Sequence, residues 1–171
     1  MTKAIVQDKA GADTSGFSAA EYNAVAVGSE LGAINMLSTK FDVSPECLGQ
    51  ERDWKLSYDR RILSCSYSEE EHYVAAILQY EVIAKLGKKR AMRCTADYGI
   101  MYNVPETATR EAAIGFCRNV GSFAAYPYFR AHVAALGWNA GLTLPPLPSI
   151  ASTAHIPKKP KAASALEKPN A

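Results

Sequence analysis

Residues 72–104 read HYVAAILQYEVIAKLGKKRAMRCTADYGIMYNV, and this stretch decides the fold. Its first half alternates with a period of two: Val74, Ala76, Leu78, Tyr80, Val82, Ala84 and Leu86 form one unbroken apolar face. The other face begins Tyr73, Ala75, Ile77 and then turns polar at Gln79 and Glu81. After Gly87-Lys88-Lys89 the alternation resumes with Met92, Cys94, Ala96, Tyr98, Ile100 and Tyr102, while Arg93, Thr95 and Asp97 fall on the opposite side. Two alternating runs joined by a short glycine-containing turn predict a long β-hairpin, with strands over 72–86 and 90–104.

Working outward toward the N-terminus, the acidic run Ser68-Glu69-Glu70-Glu71 predicts a turn, preceded by a strand over 55–67. An earlier strand runs from Ala33 to Val43, with Leu37, Thr39, Phe41 and Val43 on one side and Ser38, Lys40 and Asp42 on the other. Pro45 and Gly49 end it and open a loop that carries Cys47, Leu48 and Trp54. Before these strands, Ser18 stands three residues ahead of Glu21, a capping-box pair that predicts a helix over 18–30 with Tyr22, Val25 and Leu31 on its apolar side.

On the C-terminal side, Pro105 ends the last strand. Thr107 is placed to cap a helix over 108–118, and Gly121 to separate it from a second helix over 122–136, with Pro127 in its early turns. The helical stretch carries Phe123, Tyr126, Tyr128, Phe129, Val133, Leu136 and Trp138, more apolar surface than one core-facing stripe needs. Strands followed by helices predict an α+β domain, a four-stranded antiparallel sheet with helices packed on one face.

The expected organisation is a flexible arm over 1–16, one domain over 17–150 and a disordered Pro/Ala/Lys tail over 151–171 that includes Lys158-Lys159-Pro160-Lys161. A chain of 171 residues that is 48% hydrophobic and 21% charged excludes disordered, collagen-like and coiled-coil classes. Its longest apolar runs, such as Val74–Leu78, fall far short of the roughly 18 residues a membrane span requires. The first ten residues hold no sustained apolar stretch, so the expected location is the cytoplasm. Cys47, Cys65, Cys94 and Cys117 form no C-x-x-C pair and read as reduced, mostly buried thiols.

No catalytic constellation emerges, and no cofactor or metal is expected. His72 lies beside Glu69–Glu71 in a solvated turn, His132 has no ligand-type residue at i±4, and His155 sits in the tail. Gly28-Ser-Glu-Leu-Gly32 lacks the Lys-Ser/Thr of a phosphate-binding loop and precedes a strand. A net charge of +2 gives little reason to expect a nucleic-acid partner, although Lys88-Lys89-Arg90 and Lys158-Lys159-Lys161 offer one as the alternative of another class. The surplus apolar surface instead points to self-association and to an exposed groove for a partner chain.

Four segments resemble the SecB family of ATP-independent chaperones. Phe41-Asp-Val-Ser-Pro45 followed by Asp53-Trp54 is similar to the family's first strand and crossover. Tyr98-Gly-Ile-Met-Tyr-Asn-Val104 is similar to the end of its fourth strand, and Tyr126-Pro-Tyr-Phe-Arg130 to the start of its long helix. Leu142-Thr-Leu-Pro-Pro-Leu147 is similar to the apolar segment after that helix. The resemblance implies a dimer of dimers whose long apolar grooves hold a non-native polypeptide client, and it puts Phe41, Val43, Leu48, Trp54, Leu56, Tyr126 and Phe129 in or beside such a groove.

Two departures refine this expectation. Export-dedicated members are acidic where they dock on the SecA motor, whereas this chain has Lys85, Lys88, Lys89, Arg90 and Arg93 about its hairpin. A helix before the first strand is closer to the SecB-like chaperones of toxin–antitoxin modules. The expected client is therefore an antitoxin, with general protein export through SecA as the alternative.

Overall fold

The computed structural model describes residues 16–48 and 54–148. The arm over 1–16 therefore lies outside the described residues except for Gly16, and the tail over 151–171 lies outside them entirely. In chain order the elements are helix α1 (Ala19–Gly28), strand β1 (Glu30–Val43), a 3-10 turn (Pro45–Cys47), β2 (Trp54–Ser68), β3 (Tyr73–Leu86), β4 (Lys89–Asn103), α2 (Arg110–Phe116), a π-helical turn (Cys117–Gly121) and α3 (Ser122–Asn139). The strands form one antiparallel sheet in the order β1-β4-β3-β2. The chain thus crosses from one sheet edge to the other between β1 and β2, at the end where β3 turns into β4.

The central hairpin forms as the sequence predicts. Every even residue from Val74 to Ala84 and from Met92 to Tyr102 is buried. These side chains form the floor under the helices, each fully buried aliphatic or aromatic group adding about 1.5–3 kcal/mol. The turn itself is the two residues Gly87-Lys88, with Gly87 at φ +59°, the left-handed conformation that a two-residue hairpin requires at its first central position. β1 departs from expectation. It begins at Glu30 and is bulged between Leu31 and Ala33 and again between Met36 and Ser38. The second bulge breaks the predicted alternation: Thr39, Phe41 and Val43 pair with Ala96, Cys94 and Met92 on the helix side, whereas Leu37 packs against Gly99 on the outer face.

The helices also differ in detail. α1 keeps the predicted capping box, with Glu21 N–H donating to Ser18 Oγ at 3.2 Å and Ser18 N–H to the Glu21 carboxylate at 2.7 Å. It stops at Gly28 because Ser29 is already extended (ψ 142°), so Leu31 belongs to β1. The second cap is Thr109, not Thr107: Ala108 N–H donates to Pro105 O, closing a turn that delays the helix start. Gly121 does not separate two helices. The backbone stays helical through Gly121, and one widened turn joins α2 to α3. Tyr80 Oη, rising from the sheet, donates to Ser122 O at 2.8 Å and fixes that junction over the core.

α3 then runs back along the sheet toward the β3–β4 turn, with Tyr126, Phe129, Val133 and Gly137 buried against it. Phe129 stacks on Tyr80 at 5.2 Å, and Tyr126 meets Tyr58 edge-on at 5.1 Å. Burial pushes the Tyr80, Tyr98, Tyr102 and Tyr126 hydroxyls up, that of Tyr102 to about 12, and pushes the Cys94 thiol up to about 11. No described helix is long and apolar enough to cross a membrane.

Candidate binding cleft

The C-terminal half of α3 ends in a tight reversal of the chain. Gly141, at φ +68°, ends it: Leu142 N–H donates to Gly137 O at 2.9 Å and Gly141 N–H to Trp138 O at 3.0 Å. This left-handed cap reverses the chain, and residues 142–148 return beside the helix without regular secondary structure. Leu142 and Leu147 bury their side chains, and Tyr126 Oη donates to Pro148 O at 2.5 Å, pinning the far end of the return.

A cleft of about 310 Å³ lies between the helix, the returning segment and the sheet. Its floor is Leu56, Val82 and Met92, its helical wall runs from Arg130 to Trp138, and its other wall is Leu142 to Leu147. The volume is at the small end of ligand sites and suits one or two apolar side chains of an extended chain. The walls are apolar except for Thr143 and Arg130, and Arg130 holds its guanidinium 6.0 Å from the Tyr126 ring centre. Trp138, 83% exposed, stands at the rim, and Tyr128 is exposed one face further round the helix.

The seven residues singled out from sequence divide into three groups. Leu56 lines the cleft, and Trp54, half-buried, starts the same strand two residues earlier. The indole N–H of Trp54 is buried without a hydrogen-bond partner among the described residues. Phe41 and Val43 are half-buried on the helix side of the opposite edge strand, and Leu48 is exposed after the 3-10 turn. Tyr126 and Phe129 are buried in the core; they shape the cleft through Pro148 and Tyr80 rather than by facing it. Val82, Met92, Val133 and Gly137 were not singled out, because alternating or helical apolar positions read simply as core. Only the Gly141 reversal, which brings 142–147 over them, makes them a wall.

Among the described residues no group of three His, Cys, Asp or Glu side chains is placed to hold a metal. Cys65, Cys94 and Cys117 are free thiols.

The arrangement of parts matches that of a solved structure. Aligned with the Mycobacterium tuberculosis SecB-like chaperone Rv1957, solved in complex with a ChAD peptide from the HigA1 antitoxin, the chain gives a TM-score of 0.64 over 77% of its own length and 97% of the other chain. The fold is SecB-like. Sequence identity across that alignment is 14%, so the likeness is one of architecture, an antiparallel sheet with helices packed on one side. No protein-family model and no curated protein matches the sequence. Within the SecB-like fold, the segments that first suggested the resemblance fall at the β1 end, the β4 end, α3 and the return after it.

Proposed function

We propose that the protein is an ATP-independent holdase that keeps an apolar segment of a non-native polypeptide out of solution contact, and that its client is an antitoxin. The single observation that carries this reading is the open apolar cleft at the end of α3. A cavity that a stable monomeric core would fill is instead held open between a capped helix and a pinned return segment. Apolar walls with few polar groups suit a binder that holds many sequences without reading one. The SecB-like neighbour was solved with an antitoxin peptide, which supports the choice of client class.

In this reading Leu56 and Trp54 are the strand-side anchors of the groove, Phe41, Val43 and Leu48 extend it along the crossover, and Tyr126 and Phe129 hold its shape. The protein works as a dimer of dimers in the cytoplasm and needs no nucleotide, metal or catalytic residue. Delivery to the export motor is the weaker reading, because Lys85, Lys88 and Arg90 are exposed cations where export-dedicated members present acidic residues.

The test is suppression of aggregation. An unfolded model polypeptide is diluted into buffer with near-stoichiometric protein and no nucleotide, and light scattering and native mass are read on the same sample. Suppression by an assembled oligomer supports the holdase. Unimpeded aggregation in the presence of the folded protein overturns it.

A further inference from the structure

The helix-facing side of β2 changes parity along its length. Up to Ile62 the even residues face the helices, with Leu56, Tyr58 and Ile62 paired to Ala84, Val82 and Leu78. A bulge at Leu63 then shifts the ladder by one position, so Cys65 and Tyr67 pair with Ala76 and Val74 and turn inward. Without that extra residue Cys65 would stand on the outer face. Tyr67 Oη, on the same inward side, donates to Ala108 O at 2.9 Å and ties this end of β2 to the approach of α2.

Cys117 reaches the same place from the helical layer. It opens the widened turn between α2 and α3, which packs on β2 and β3. A Cβ at Gly121 would stand 3.3 Å from Ile100 Cγ2 and 3.7 Å from Cys117 Sγ. Ile100 shares a ladder row with Ala76 and Cys65, so the Cys117 sulfur lies over the row that carries Cys65. The two side chains meet, Cys117 S–H donating to the Cys65 sulfur, and both are free thiols. Cys65 is half-buried, whereas Cys117 is fully buried. The hydrogen bond from Cys117 and the guanidiniums of Arg118 and Arg110 hold the Cys65 thiol below its usual range. The same bond and burial push Cys117 up. Among the described residues neither arginine makes an ion pair. An accessible thiol favoured as thiolate, in contact with a second thiol, is the arrangement of a redox-sensitive pair. Strand bulges and single π-helical turns both recur at functional sites, and here each places one of the two sulfurs.

We propose that Cys65 and Cys117 form a redox site that a hydroperoxide closes to a disulfide, stapling the edge strand β2 to the junction of α2 and α3. The Cys65 thiolate attacks the peroxide, the O–O bond breaks, and Cys65 becomes a sulfenic acid as hydroxide leaves and takes up the proton Cys65 gave up. The Cys117 sulfur then attacks the Cys65 sulfur. The S–O bond breaks, and the Cys117 proton departs with the hydroxide as water. The two thiols together lose two hydrogens and two electrons, and one hydrogen peroxide becomes two waters. The cleft floor at Leu56 lies at the other end of β2, so this site stands apart from the holdase reading.

The experiment treats the reduced full chain with hydrogen peroxide, then reads intact mass, peptide map and thermal unfolding before and after a thiol reductant. The expected product has lost two hydrogens, maps to a Cys65–Cys117 link within one chain and reverts on reduction. Because the link closes a long loop, it raises Tm by roughly 5–15 °C. Cys65→Ser abolishes the link, and Arg118→Gln slows its formation severalfold at neutral pH while both thiols remain in place. Sulfinic acid at Cys65, a link between two chains, or thiols that stay reduced under excess peroxide each overturn the site. A Cys65–Cys117 link that leaves Tm unchanged or lower overturns the staple.

Discussion

Gly141 is the residue on which the cleft depends most directly. Its φ of +68° lies where an L side chain is strained, yet a Cβ there would meet nothing within 4 Å. Substitution therefore acts through the backbone alone. Gly141→Ala is expected to cost about 1–2 kcal/mol, a fall in Tm of about 2–8 °C for a chain of this size, seen by circular dichroism. Because the same turn directs residues 142–148, client affinity should fall by more than the lost stability explains. Tyr126 closes the other end through Pro148 O. The sequence shows Tyr126 as an apolar helical residue that the family resemblance puts in or beside a groove. That it and Gly141 together hold open a space is not legible there, since that space exists only between elements.

At the scale of elements, β3 and β4 were legible because their even positions alternate and are buried along most of each strand, interrupted only by a bulge at Ala91. β1 was legible only in outline. Its bulges at Gly32 and Leu37 shift the side chains by one position, and a period-two reading has no means of placing such an insertion. The helical region shows the same limit. Gly121 reads as a breaker by propensity, but with Tyr80 Oη on Ser122 O the tertiary context keeps the chain helical through it. In the proposed holdase, the element pair that meets the client is the start of β2 against the end of α3. Trp54→Ala with Leu56→Ala removes the strand-side anchors, both only half-buried. This pair of changes should weaken client binding at least tenfold and leave the native mass of the oligomer unaltered. Unchanged affinity would place the groove elsewhere.

For the whole molecule, the core carries an alkaline limit. Burial raises Cys94 from 9.0 to about 11 and Tyr102 from 10.0 to about 12, and it raises Tyr80, Tyr98 and Tyr126 as well. A group whose folded pKa is raised gives stability that is full below its unfolded value and is lost as pH climbs through the folded one. Denaturant midpoints should accordingly stay level up to about pH 9 with respect to these groups, then fall between 9 and 12. A midpoint that holds flat to pH 12 would mean that the hydroxyls ionise without leaving the core.

The sequence by itself determined the antiparallel sheet, the helices on one face, the capping box at Ser18 and a hairpin turn beginning at Gly87. Each rests on local backbone preference or on a regular apolar period, and such signals are carried by neighbours in the chain. The four resembling segments also lay open in it, in the order the fold uses. What only the tertiary structure decided was where surface remained uncovered. Apolar residues at the same period line the packed core at Tyr80 and the open cleft at Met92, and no local signal separates them. The difference is made by distant parts of the chain: the helix end, its reversal at Gly141 and the return to Pro148. The meeting of Cys65 and Cys117 was likewise settled by tertiary structure, because thiols far apart in sequence face each other only once the bulge at Leu63 turns one inward and the widened turn carries the other over it.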